Sequence, residues 1–375
     1  MAQTLAKTVA APRKRGERLV GLDVARALAL LGMVATHVLA PADPGGEISW
    51  TQDLAGGRAS ALFAVLAGVS LAMLSGRQTP PTGRARWVVV RALAVRALLI
   101  AAIGLTIGML DSGLAVILTY YGVMFLLALP FIGLRARSLA VLSAVWLVVV
   151  PVLSHLVRDS LPAARGDNPT WGQLSDPAPM VWELLLTGYY PALPWLAYLF
   201  AGMAVGRSDL ARRSVQAGLL VGGVVLVVGS TWLSDRLVAG RLSPAVVEEA
   251  GFGMYGTTPA GGSADYLLLV APHSATPFDL AQTIGSSLAV IGGCLLLLSA
   301  LPPPGARFMA VLFGAGTMTL SLYSVHVWMR TDGVWPPEEE WAMFWYVLVL
   351  GAIGAGFAAA RVRGPLEAVV ARIAR

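Results

Sequence analysis

Stretches of about 20 apolar residues, each long enough as a helix to cross a hydrocarbon layer roughly 30 Å thick, recur along almost the whole of this sequence. A chain built this way has lipid as its solvent. Of 375 residues, 57% are hydrophobic and 13% charged, and the mean hydropathy of +0.71 lies outside the range of soluble domains. Backbone in hydrocarbon must satisfy its own hydrogen bonds, so the runs are helices. The expected fold is all-α, a polytopic bundle with spans at 19–40, 58–75, 87–110, 114–133, 138–157, 188–206, 215–235, 279–301, 308–329 and 341–360. Glycine pairs such as Gly104 and Gly108, or Gly218 and Gly222, let membrane helices approach closely. The same stripes serve packing within the chain or the seam of a homodimer.

Charge tests that division. With the N-terminus inside, the even-numbered gaps hold Arg77, Arg84, Arg86, Arg135, Arg137, Arg207, Arg212, Arg213 and Arg307, while the odd-numbered gaps are mainly acidic. Lys and Arg stay on the cytoplasmic side of short loops, which assigns both termini to the cytoplasm and the chain to the cell membrane. Residues 1–18 then form a basic N-terminus, 19–360 the transmembrane domain and 361–375 a C-terminal segment, with long outer segments at 41–57, 158–187 and 236–278. The run from Leu19 to Ala40 is longer than a signal-peptide core and reads as an uncleaved first span. The net charge of +6 is spread over loops rather than along one groove, which argues against nucleic acid as a partner and for membrane lipid. A single cysteine, Cys294, offers neither a disulfide nor a thiolate metal set, and no metal is expected.

All four histidines fall on the outer side of this topology. His37 ends the first span, His155 the fifth and His326 the ninth, and His273 precedes the eighth. Imidazole is suited to moving a proton near neutral pH, as acyl transfer to an alcohol or amine requires; interfacial packing is the alternative for each. In the first span Asp23 and Arg26 can pair across one turn. His37 lies eleven residues after Arg26, about three turns and 16 Å along the same face. Ionisable residues inside a membrane mark function, with an ion pair that only fixes packing as the competing reading. Arg91 and Arg96 sit too deep in the third span to be explained by loop topology alone. Their guanidinium forks either match phosphate oxygens or snorkel to lipid headgroups. Tyr323 approaches the same rim as His37, and Tyr120, Tyr121, Tyr189, Tyr190 and Trp195 either line the same interior or pack the core. No Gly-rich phosphate loop appears, which disfavours ATP chemistry. Nor does an internal repeat relate the two halves, as it does in many secondary transporters.

Several stretches carry a resemblance. They are Arg18-Leu19-Val20-Gly21-Leu22-Asp23-Val24-Ala25-Arg26-Ala27 running to Met33 and His37, Arg58-Ala59-Ser60-Ala61-Leu62-Phe63 running to Gly68, and Ile117-Leu118-Thr119-Tyr120-Tyr121-Gly122-Val123. Pro194-Trp195-Leu196-Ala197-Tyr198 with Gly202 and Gly206-Arg207, and Thr319-Leu320-Ser321-Leu322-Tyr323-Ser324-Val325-His326, complete the set. Together they resemble the heparan-alpha-glucosaminide N-acetyltransferase catalytic-domain family and its bacterial transmembrane acyltransferase relatives. The resemblance implies acetyl-CoA bound from the cytoplasm as acyl donor and an acetyl group delivered to a sugar amine or hydroxyl of a glycan on the far side. The animal enzymes are thought to use a histidine just after the first span. Residues 41–57 contain none, so the role passes to His37, with His273 as second candidate.

On this reading His37, Asp23, His326 and His273 form the catalytic set, with Arg26, Arg91, Arg96, Tyr120 and Tyr121 on the donor and Arg58, Tyr323 and Trp195 on the acceptor. Direct transfer and an acyl-histidine intermediate both stay open. The reading from a different class is a transporter or flippase with Asp23 and Arg26 as its gate or coupling site.

Overall fold

The computed structural model describes residues 19–335 and 341–374, so the basic stretch 1–18 lies outside the described residues. Apart from one isolated bridge between Ala42 and Ile48, the regular structure of the described residues is helical. Among the described residues, seven helical segments are long and apolar enough to cross a membrane. These are α1 (Val20–Val38), α2 (Trp50–Ala55) running on into α3 (Arg58–Leu74), α4 (Gly83–Ile107), α6 (Ala136–Val157), α9 (Arg213–Val238), α11 (Pro277–Ala300) and α14 (Ala342–Ala360). An eighth arises if α7 (Pro177–Trp182), its π-helical continuation Glu183–Thr187 and α8 (Ala192–Gly206) form one span bent by 49°. The shorter helices are α5 (Leu118–Ala128), α10 (Pro244–Gly251), α12 (Pro303–Leu312), α13 (Thr319–Met329) and α15 (Pro365–Ile373). The chain is an all-α, multi-pass membrane protein.

Three expected spans are interrupted, each for a physical reason. In 114–133 the helix begins only at Leu118. The preceding backbone is satisfied by side chains instead: Asn168 Nδ2 donates to Leu114 O (2.7 Å), its Oδ1 accepts from Val116 N (2.7 Å), and Tyr323 Oη accepts from Ile117 N (3.3 Å). Irregular backbone at membrane depth persists only where protein groups meet it in this way. In 188–206 the helix starts at Ala192, after Gly188-Tyr189-Tyr190-Pro191, and residues 177–187, expected in an outer segment, are already helical. In 308–329 a 3-10 turn at Gly314–Thr317 separates α12 from α13. A Cβ on Gly316 would collide with the Asp23 carbonyl, so only glycine lets this turn run against the backbone of α1.

Other glycines set the helix seams. Gly68 of α3 meets Gly202 of α8, and Gly223 of α9 faces Gly285 and Ala289 of α11. Gly218 and Gly222, expected on a seam, have open space where their Cβ atoms would be. A step of one residue turns a helix by about 100°, so Gly222 and Gly223 present different faces. At one end of the bundle Arg207 donates to the carbonyls of Ala72, Ser75, Arg77 and Ile132, which ties the ends of α3, α5 and α8 together. We call this the arginine end.

Candidate functional site

The arginine end contains a cavity of about 240 Å³ whose polar lining includes Arg26, Ser70, Arg96, Tyr121 and Glu367, with Phe63, Leu66, Leu118 and Phe125 among its apolar walls. Arg26 is held from two sides. Its Nη1 lies 3.0 Å from Asp23 Oδ1, and its Nη2 donates to Ser70 Oγ, also at 3.0 Å. Local helix geometry supplies the first partner and the approach of α3 the second. Arg96 joins the same lining, whereas Arg91, five residues earlier on α4, is exposed and outside it. Tyr121 lines the cavity, but Tyr120 turns toward Tyr190, ring to ring at 5.7 Å, over a glycine, Gly188, whose Cβ would strike the Tyr120 hydroxyl.

At the opposite end two histidines 289 residues apart meet: His37 Nδ1 and His326 Nε2 are 3.0 Å apart. Their rings are nearly parallel, and Tyr346 stands edge-on to His326 at 5.3 Å. His326 is completely buried, and its Nδ1 has no hydrogen-bond partner among the described residues. His37 keeps some exposure at the end of α1.

His273 completes this end. Its ring packs on Tyr189 at 4.8 Å, Tyr190 at 5.6 Å and, face-parallel, Trp195 at 6.4 Å. It lies within electrostatic reach of His37, and burial, aided by His37, lowers its pKa to about 4. The loop that presents it is unusual: His273, Ala275 and Tyr255 all adopt positive φ, at 57°, 51° and 49°. Left-handed backbone is rare in residues with a side chain and gathers at functional sites. Met254 N donates to Pro272 O, and Gly256 N to His273 O, to fix the conformation. The fourth histidine, His155, pairs with Thr258 Oγ1 at 2.9 Å.

The remaining expected residues have other partners. Arg58 opens α3, with Nη1 4.0 Å from Asp53 and the buried Asp279 within electrostatic reach. Tyr323 spends its hydroxyl on Ile117 N, and Trp195 is a buried neighbour of Tyr190 and Tyr198. Sequence reasoning missed Ser70, Glu367 and Arg330. Arg330 stands four residues past His326, one helical turn on, and its charge acts on both imidazoles of the pair. That spacing was available in the sequence; the link from Arg26 to Ser70 was not.

Fold and site together define a multi-pass helical membrane protein with an imidazole pair at one end and a guanidinium-lined cavity at the other. The family described as heparan-alpha-glucosaminide N-acetyltransferase, catalytic, matches residues 18–232, more than half of the chain, and the chain belongs to it. Membership points to a transmembrane acetyltransferase and, in general terms, to an acyl-CoA donor. A search of curated proteins finds no match. Asp23, Arg26, His37 and Arg96 fall within the matched residues, and His273, His326 and Glu367 beyond them.

Proposed function

We propose that the protein transfers an acetyl group from cytoplasmic acetyl-CoA to an amine or hydroxyl of a sugar on the outer face of the cell membrane. The observation that carries the reading is the 3.0 Å His37–His326 contact at the end of the bundle opposite the cavity lined by Arg26 and Arg96. The guanidinium groups would hold phosphate oxygens at the cavity, and the largely apolar walls suit the pantetheine arm.

The imidazole pair sets the proton chemistry. When His37 Nδ1–H donates to His326 Nε2, His37 Nε2 is left with a bare lone pair and is the base. It takes the proton of the acceptor N–H or O–H as the acceptor attacks the thioester carbonyl carbon. The C–S bond breaks, and coenzyme A leaves as a thiolate that is then protonated. His326 orients the ring that does this and stabilises its charged form, as an orienting group does for a catalytic histidine in general.

Purified protein incubated with labelled acetyl-CoA and an amino sugar should release labelled, acetylated sugar, with the label lost in His37→Ala. Full transfer by His37→Ala would sink the assignment. Sugar movement across vesicles without any acyl donor would point instead to a transporter.

A further inference from the structure

The outer segments hold a second cavity, of about 510 Å³, lined by residues from 158–164 and 246–266 together with Thr187. It falls in the range of about 300–1,000 Å³ typical of small-molecule sites, and the chemistry above does not use it. Arg158 forms part of its wall. That residue is 8% exposed, donates from Nη2 to Ser154 Oγ (2.6 Å) and Leu186 O (3.3 Å), and keeps a buried Nε with no hydrogen-bond partner among the described residues. A guanidinium in the wall favours a ligand that brings acceptor oxygens.

The rest of the lining narrows what that oxygen belongs to. Asp159 and Glu249 contribute exposed carboxylates, Thr257 and Tyr266 hydroxyls, and Tyr255 a ring 71% exposed. An anionic ligand would meet the two carboxylates, and an apolar one would cover the lining's carboxylates and hydroxyls without giving them partners. A sugar ring suits all of them: its hydroxyls both donate and accept, and its C–H face packs on an aromatic ring. Tyr255 also stands edge-on to Tyr189 at 5.5 Å, and Tyr189 packs on His273 at 4.8 Å, so one intervening ring connects the cavity's Tyr255 to the imidazole cluster.

We propose that this cavity is a subsite for a second sugar unit of the acceptor, next to the unit that is acylated. The place of the acylated unit rests on the acetyltransferase reading above; sugar binding in the cavity does not.

The test uses the full chain in detergent, with glucosamine and its β-1,4-linked disaccharide as probes. Glu249→Ala and Tyr255→Ala change exposed positions, and Arg158→Lys keeps the buried charge. Without coenzyme A, the wild type is expected to bind the disaccharide about tenfold more tightly than the monosaccharide, a preference that Tyr255→Ala loses. In transfer assays the ratio of kcat/KM for disaccharide over monosaccharide should fall by a similar factor. Equal binding of both sugars by the wild type, or a preference that all three variants retain, overturns the subsite. Disaccharide preference lost in Tyr255→Ala, with no acyl transfer to either sugar, keeps the subsite and sinks the acetyltransferase reading.

Discussion

Glu367 of the last helix grips the start of α13 through Ser321: the carboxylate accepts the Ser321 backbone N–H and its hydroxyl, and the neighbouring Leu320 N–H as well. Ser321 Oγ in turn accepts from Leu366 N. The first turn of a helix has N–H groups without intrahelical partners, and a carboxylate there is favoured by both hydrogen bonding and the helix dipole. The segment expected as a cytoplasmic C-terminus thus clamps the helix that carries His326.

Glu367→Ala leaves two backbone donors and one hydroxyl without an acceptor. It should destabilise the protein by about 1–3 kcal/mol, seen as a lower midpoint of thermal unfolding in detergent. An unchanged midpoint would show that the clamp contributes nothing.

Small residues give a paired prediction. A Cβ on Gly68 would collide with the Leu199 carbonyl, and one on Gly202 with the Val65 carbonyl, so either alanine must force α3 and α8 apart. Overpacking of this kind costs about 1–3 kcal/mol. Gly218→Ala and Gly222→Ala meet open space and should leave stability within about 1 kcal/mol of wild type. Unfolding midpoints of the four variants separate the packed seam from the open face.

What the sequence disclosed and what it withheld divide along one line. Apolar runs announce helices because lipid leaves the backbone no other choice, and the pairing of Asp23 with Arg26 follows from one turn of helix. The breaks at 188–191 and 314–317 were hidden because their cause is distant: the close approach of Gly188 to Tyr120 and of Gly316 to Asp23. For the same reason four histidines could be assigned to one side but not paired, since the partner of His37 is 289 residues away. Arg91 and Arg96 read alike in sequence, yet five residues is about 1.4 turns, enough to put one outside the cavity and the other on its wall.

Stability should depend on pH through His273. Its folded pKa of about 4, below the ordinary 6.5, means that the folded protein holds the neutral ring. Between those values the unfolded chain binds more protons than the folded one. The contribution is therefore complete above about pH 6.5 and is lost as pH falls toward 4, by roughly 1–3 kcal/mol. His273→Asn removes the titration and suits a backbone at positive φ; its stability should fall less steeply over that window. Parallel pH profiles for the two proteins would exclude His273 as the source.

The histidine pair predicts an order among variants. His37→Ala removes the base and should lower kcat by about 10²–10⁴. His326→Ala leaves the base but not its orientation, so a smaller loss is expected. His326→Asn, whose amide oxygen can accept from His37 Nδ1–H, should recover part of it. Equal loss in both His326 variants would remove the orienting role.

The two arginines of α4 offer the sharpest contrast at the donor side. Arg96 lines the cavity with Arg26, and Arg91 is exposed. A hydrogen bond to a charged group is worth about 1.5–3 kcal/mol, roughly ten- to a hundredfold in affinity. Arg96→Ala should therefore raise KM for acetyl-CoA by about that factor with little change in KM for the sugar, and Arg91→Ala should leave both near wild type. Arg96→Lys keeps the charge but loses the fork and should fall between. If Arg91→Ala weakens donor binding as much as Arg96→Ala, the donor is held along the outside of α4 and the cavity is not its site.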